Sequence, residues 1–165
     1  MSRASAEAMA GDFRATIRWS REAEVFTDGL YSRAHLWVFD GVEVPGSSAP
    51  SSVRLPYSRA DAVDPEEALV AATSSCHMLF ALDFARRAGF RVDSYEDAAQ
   101  GVMSPNDVGK FYLSRITLSP MMVFSGDRRP TDADVAAIHH QAHAECYVAN
   151  SLRAEIIIDF RYLTV

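Results

Sequence analysis

The sequence predicts an α+β fold, and three observations carry that prediction. A long helix with both caps written into it occupies residues 64–89. Segments alternating with period two lie on both sides of it. A shorter helix then separates the later alternating segments from a final isoleucine-rich strand. Strands, long helix, strands, helix, strand is an α+β order. The 165 residues, 48% apolar and 23% charged, suit one domain with a real core. Residues 1–11 read as a loose, disordered tail and residues 12–165 as the domain, with no repeat or linker.

In chain order, Phe13, Ala15, Ile17 and Trp19 alternate with polar residues and predict a half-buried strand ended by Arg21. Thr27-Asp28-Gly29 is a turn. Residues 31–39 predict a second strand, one face carrying Tyr31, Arg33, His35, Trp37 and Phe39. An aromatic face that holds an arginine and a histidine suits a pocket or another subunit better than open solvent. Residues 41–52 are rich in Gly, Ser and Pro and read as loop, with a short strand expected at 53–55.

The central helix follows. Asp64 is a good N-cap, Pro65 suits the first helical position, and Glu67 stands where a capping box needs it. Arg86 and Arg87 suit the last turn and Gly89 is a natural stop. Between the caps the apolar residues lie on all sides, which predicts a buried helix. Residues 90–103 and 110–124 then predict a hairpin about a turn at 105–109. Residues 125–129 read as loop. Thr131 and Asp134 form a second capping box, opening a helix to about Glu145 whose apolar side is Val135, Ile138 and Ala142. Residues 155–163 complete the chain as a strand.

Several function classes are disfavoured. A net charge of −6 argues against a broad nucleic-acid surface. The longest uncharged run is too short for a bilayer, which needs about 20 apolar residues, so no membrane partner is expected. The first eleven residues lack the apolar core of a secretory signal, which makes the cytoplasm the expected compartment. Two cysteines are too few for a disulfide scaffold.

Three constellations bear chemistry. Cys76 and Cys146 are either two ordinary buried thiols or a working pair, in which one is oxidised to a sulfenic acid and the other condenses with it. His139, His143 and Cys146 share one helix face at spacings of four and three, either a polar face or the ligands of a zinc site. Glu66 lies ten residues before Cys76, about 15 Å along a continuous helix. A Glu66 from a second, antiparallel copy would come closer, which suggests a dimer with shared sites. Ser74 and Ser75 read as small residues that let a neighbouring helix approach.

The stretch PEEALVAATSSCHML, with AHAECYVANSL seventy residues beyond its cysteine, resembles the OsmC/Ohr family of osmotically induced and organic-hydroperoxide-resistance proteins. The resemblance covers residues 13–163. It implies antiparallel sheets wrapped around long buried central helices of an intertwined homodimer, with sites at the interface. It further implies thiol-dependent reduction of organic hydroperoxides, with Cys76 as nucleophile, Cys146 as resolving thiol, and Glu66 positioning an arginine beside Cys76. Arg21, after ATIRWS, and Arg33, in YSRAH, both fit the arginine's place. The implied reductant is a dithiol such as a lipoyl group, and neither metal nor organic cofactor is implied. Asp64 stands where the peroxidase branch usually has Asn, and His77 directly follows the nucleophile, which marks a less typical branch. The alternative is a non-catalytic relative that binds a small apolar ligand at the dimer interface.

Overall fold

The computed structural model describes residues 11–165, so the expected tail falls almost wholly outside the described residues. Two compact units meet in sequence at Pro65 and Glu66.

In the first unit, β1 (Thr16–Arg18), β2 (His35–Phe39) and β3 (Val42–Gly46) form an antiparallel sheet in the order β1-β2-β3. The two expected strands exist but are shorter than the alternation suggests. β3 was expected to be loop. Pro45 and Gly46 argue against a strand, yet β3 is an edge strand with Val42 opposite Phe39 across the Asp40-Gly41 turn. Gly46 permits a close approach: a Cβ there would lie 2.5 Å from His35 Nε2 and 2.6 Å from Trp37 Nε1. Residues 53–55 are not a strand. Turn hydrogen bonds from Val53 N to Ala49 O and from Tyr57 N to Arg54 O occupy the backbone there instead.

The second unit opens on α1 (Pro65–Arg87). Its C-terminal stop is as predicted. Gly89 has φ +80°, its N–H donates to Arg86 O, and Phe90 N–H donates to Ala85 O, the paired bonds of a Schellman cap. Within one chain the helix expected to be buried all round is only partly covered. Within the chain only the stripe Thr73, His77, Ala81 and Ala85 is buried, and Leu79 is 62% exposed. Phe80, Leu82 and Phe84 are partly covered by the core, while Leu79 is left largely open by the described residues. By length and composition α1 is also long and apolar enough to cross a bilayer, contrary to the reading from its uncharged run.

The predicted hairpin forms, with Pro105 opposite Phe111, but both arms are broken. The first becomes β4 (Arg91–Asp97) and β5 (Gln100–Pro105), the second β6 (Phe111–Leu118) and β7 (Pro120–Ser125). The last strand breaks likewise into β8 (Glu155–Ile158) and β9 (Arg161–Thr164). The result is two three-stranded sheets, β5-β6-β8 and β4-β7-β9. All three strands are interrupted at one level. Asp97 secures that joint, its Oδ1 accepting from Ser119 N–H at 2.6 Å and its Oδ2 from the Ser74 hydroxyl of α1 at 2.5 Å.

The sheets are not purely antiparallel, which corrects a second expectation: β8 runs parallel to β6, and β9 to β7. Parallel neighbours need a long crossover. Here it contains α2 (Asp132–Glu145) and the one-turn α3 (Tyr147–Asn150). The Thr131–Asp134 capping box is present, and Val135, Ile138 and Ala142 are the buried side of α2 as expected. They pack with Ala81, Ala85, Phe90, Met122 and Phe124 as the core.

Candidate active site

The second unit brings together two sulfurs seventy residues apart in sequence. Cys76 lies half-buried on α1. Cys146 is fully buried, and it both ends α2 and caps α3, its Sγ accepting from Ala149 N–H at 3.4 Å. The two thiols are close enough for Cys76 to act on the ionisation of Cys146. Burial first, and then the Cys76 thiol, push Cys146 up to about 11. Cys146 is therefore protonated at neutral pH.

Cys76 opens on a groove of about 520 Å³ lined by Ala72, Ser75, Leu79, Phe80, Asp83 and Tyr147. The Phe80 and Tyr147 rings meet edge to face at 5.2 Å. The pair is thus asymmetric: one thiol faces an apolar groove and the other stands behind it. Ser75 lines the groove, whereas Ser74 is an anchor to Asp97 rather than a mere small spacer.

The other expected site residues are distributed differently. Glu66 is exposed in the first turn of α1, and α1 is continuous from Glu66 to Cys76. In the first unit, Arg33 lies 3.8 Å over the Tyr31 ring and donates to the Gly29 and Tyr31 carbonyls. Its neighbour His35 is fixed in one tautomer: Trp37 Nε1–H donates to His35 Nε2 at 2.7 Å, so the ring proton sits on Nδ1 and faces Arg33 O. Arg21 is exposed on a turn and donates to Glu24 O at 2.6 Å.

His139, His143 and Cys146 do not converge as a ligand set, and no group of three His, Cys, Asp or Glu among the described residues is placed to hold a metal ion. His139 faces His77 instead. His77 Nε2 and His139 Nδ1 are 2.9 Å apart, with the rings 4° from parallel. Both are buried, and His139 also stacks on Phe160 at 4.7 Å. Sequence reading passed over this pair. A usable signal was present: His77 falls on the α1 stripe of Thr73 and Ala81, and His139 four residues after Val135 on the apolar side of α2.

Burial holds both imidazoles down to about 4, with His143 adding to the effect on His77 and Asp97 opposing it. Above the unfolded value of 6.5 both states are neutral and the shifts contribute nothing to the pH dependence. Between 6.5 and 4 the unfolded chain binds protons that the folded chain does not, so stability falls with pH, by up to about 3 kcal/mol for each histidine. Urea denaturation at pH 7.5, 5.5 and 4.5 is expected to show this decline, and a His77→Gln/His139→Asn protein to show a flatter one.

A family model described as OsmC-like protein matches residues 58–161. An OsmC-like protein of unknown function from Vibrio cholerae O1 biovar El Tor superposes with a TM-score of 0.90 at 42% identity, covering 92% of this chain and 99% of that one. An organic hydroperoxide resistance protein from Elizabethkingia anophelis shares the fold at a TM-score of 0.64 and 15% identity, covering 94% and 97%. The organic hydroperoxide resistance protein OhrB of Bacillus subtilis does so at 0.58 and 13%, covering 93% and 98%. No curated protein matches this chain.

Proposed function

The chain belongs to the OsmC-like protein family, and within it we propose that this protein is a thiol-dependent peroxidase acting on organic hydroperoxides. One observation carries the reading: two neighbouring thiols, Cys76 open to an apolar groove and Cys146 buried beside it. An apolar hydroperoxide suits that groove. The Cys76 thiolate attacks the distal peroxide oxygen, the O–O bond breaks, and the alkoxide leaves with a proton as alcohol. Cys76 is then a sulfenic acid. The Cys146 thiol attacks its sulfur, a disulfide forms and water departs. A dithiol such as a lipoyl group returns both cysteines to thiols. In this scheme Glu66 positions an arginine, Arg21 or Arg33, that holds the thiolate and orients the peroxide, and no metal or organic cofactor takes part.

We further propose a homodimer in which a second copy covers the open side of α1, where Leu79 is exposed. Its compartment in this reading is the cytoplasm, where thiols are kept reduced. The deciding experiment titrates free thiols before and after one equivalent of cumene hydroperoxide and locates any crosslink by mass spectrometry. Loss of two thiols with a Cys76–Cys146 disulfide is the expected result. Two thiols surviving unchanged would reject the peroxidase reading, and the same groove would then be a site for a small apolar ligand.

A further inference from the structure

The thiols are carried by α1 and by the end of α2, so their approach depends on how these two helices are held. Much of the contact is smooth: Ala81 and Ala85 of α1 pack in one cluster with Ala142, Val135 and Ile138 of α2. Methyl surfaces of this kind permit close approach but resist sliding weakly. The imidazole bond is different. It is directional, 2.9 Å long, and joins the residue next to Cys76 to a residue two turns before Cys146. A slide of one residue, about 1.5 Å, would break it.

The pair is also poorly explained by stability. His77 Nδ1 and His139 Nε2 are buried without hydrogen-bond partners, as is His143 Nδ1 nearby. A buried polar atom left unpaired costs free energy, and replacing both partners by apolar groups is commonly neutral or better. What a buried polar bond does supply is register.

We infer that His77 and His139 are positioning residues, a clamp that fixes α2 against α1 so that Cys146 meets Cys76. This rests on the peroxidase reading for its purpose, but its test does not. The core packing of Val135, Ile138 and Ala142 holds α2 against α1, and the directional imidazole bond adds the register along it.

The test equilibrates the protein with reduced and oxidised glutathione and reads the effective concentration of the two thiols. The reaction is balanced: two protein thiols and one glutathione disulfide give the protein disulfide and two glutathiones. His77→Leu/His139→Leu is expected to lower the effective concentration at least about tenfold, with the melting temperature unchanged or raised. His77→Gln/His139→Asn, which restores a neutral amide bond at the same place, is expected to return it to within about twofold of the parent. A folded Leu pair with the parent's effective concentration would overturn the inference, and so would a parent protein that forms no disulfide in glutathione. If the Leu pair does not fold, His139→Asn is compared with His139→Gln. Asn reaches the Nδ1 position and Gln does not, so a tenfold gap is expected and equality would reject the clamp. A parent that forms the disulfide yet leaves cumene hydroperoxide unconsumed would keep the clamp and remove the peroxidase function.

Discussion

Replacement of Cys76 by serine is expected to lower the catalytic consumption of cumene hydroperoxide by on the order of a thousandfold or more. Serine occupies nearly the same volume on α1, so the groove of Leu79, Phe80 and Tyr147 stays lined as before. The hydroxyl is nearly un-ionised at neutral pH and cannot form a sulfenic acid. Cys146→Ser separates the two roles. Cys76 is expected to react with the first equivalent of peroxide and then to remain as a sulfenic acid, detectable as a dimedone adduct, because its partner no longer condenses with it. Cys146 is expected not to substitute for Cys76 in the Cys76→Ser protein. It is fully buried and held at about 11, so little thiolate is present at neutral pH. Peroxide assays with a dithiol reductant check the first and third statements, dimedone labelling without reductant checks the second, and full activity of Cys76→Ser would reject the mechanism.

Phe124→Ala is expected to cost about 3–5 kcal/mol of folding stability, a large share of the total for a chain of this size. Phe124 is 1% exposed and meets Phe90 edge to face at 6.2 Å and Tyr162 at 6.0 Å. It sits in β7 between Val92 of β4 and Thr164 of β9, and in the same cluster as Ala85 and Val135. Deleting its ring opens a cavity among sheet and both helices, which cannot all collapse inward at once. Leu163→Ala, on the same sheet but 56% exposed, is the control and is expected to lie within about 0.5 kcal/mol of the parent. Urea midpoints measure both.

Local chemistry was readable where it is self-contained. The Schellman stop at Gly89 and the Thr131–Asp134 box need only a few neighbouring residues, and both are where the sequence places them. β3 was hidden because Pro45 and Gly46 discourage a strand locally, while its place at the sheet edge tolerates the first and the packing of His35 and Trp37 requires the second. Of the breaks in the long strands only one has a clear local marker, Pro120 at the start of β7. The breaks depend on Asp97, whose partners Ser74 and Ser119 are 23 and 22 residues away.

The site shows the same division. Spacing placed Cys76 and Cys146 on their elements, but seventy residues of separation give no distance, and only the family resemblance paired them. The His77–His139 bond depends on where two helices cross: each helix puts its histidine on its buried side, but neither alone says that the two meet.

The parallel seams impose an order in time. β6 and β7 leave the ribosome well before β8 and β9, with all of α2 and α3 in between. Until residues 155–164 arrive, each sheet is a two-stranded ribbon whose β6 or β7 edge offers unpaired amides and carbonyls to any passing strand. The closing bonds, Asp159 N–H to Leu118 O and Val165 N–H to Phe124 O, are made with residues synthesised after α2 and α3. A nascent chain stalled before Glu155 would present two sticky edges beside a core already gathering around Phe124, and the final strand acts as their seal.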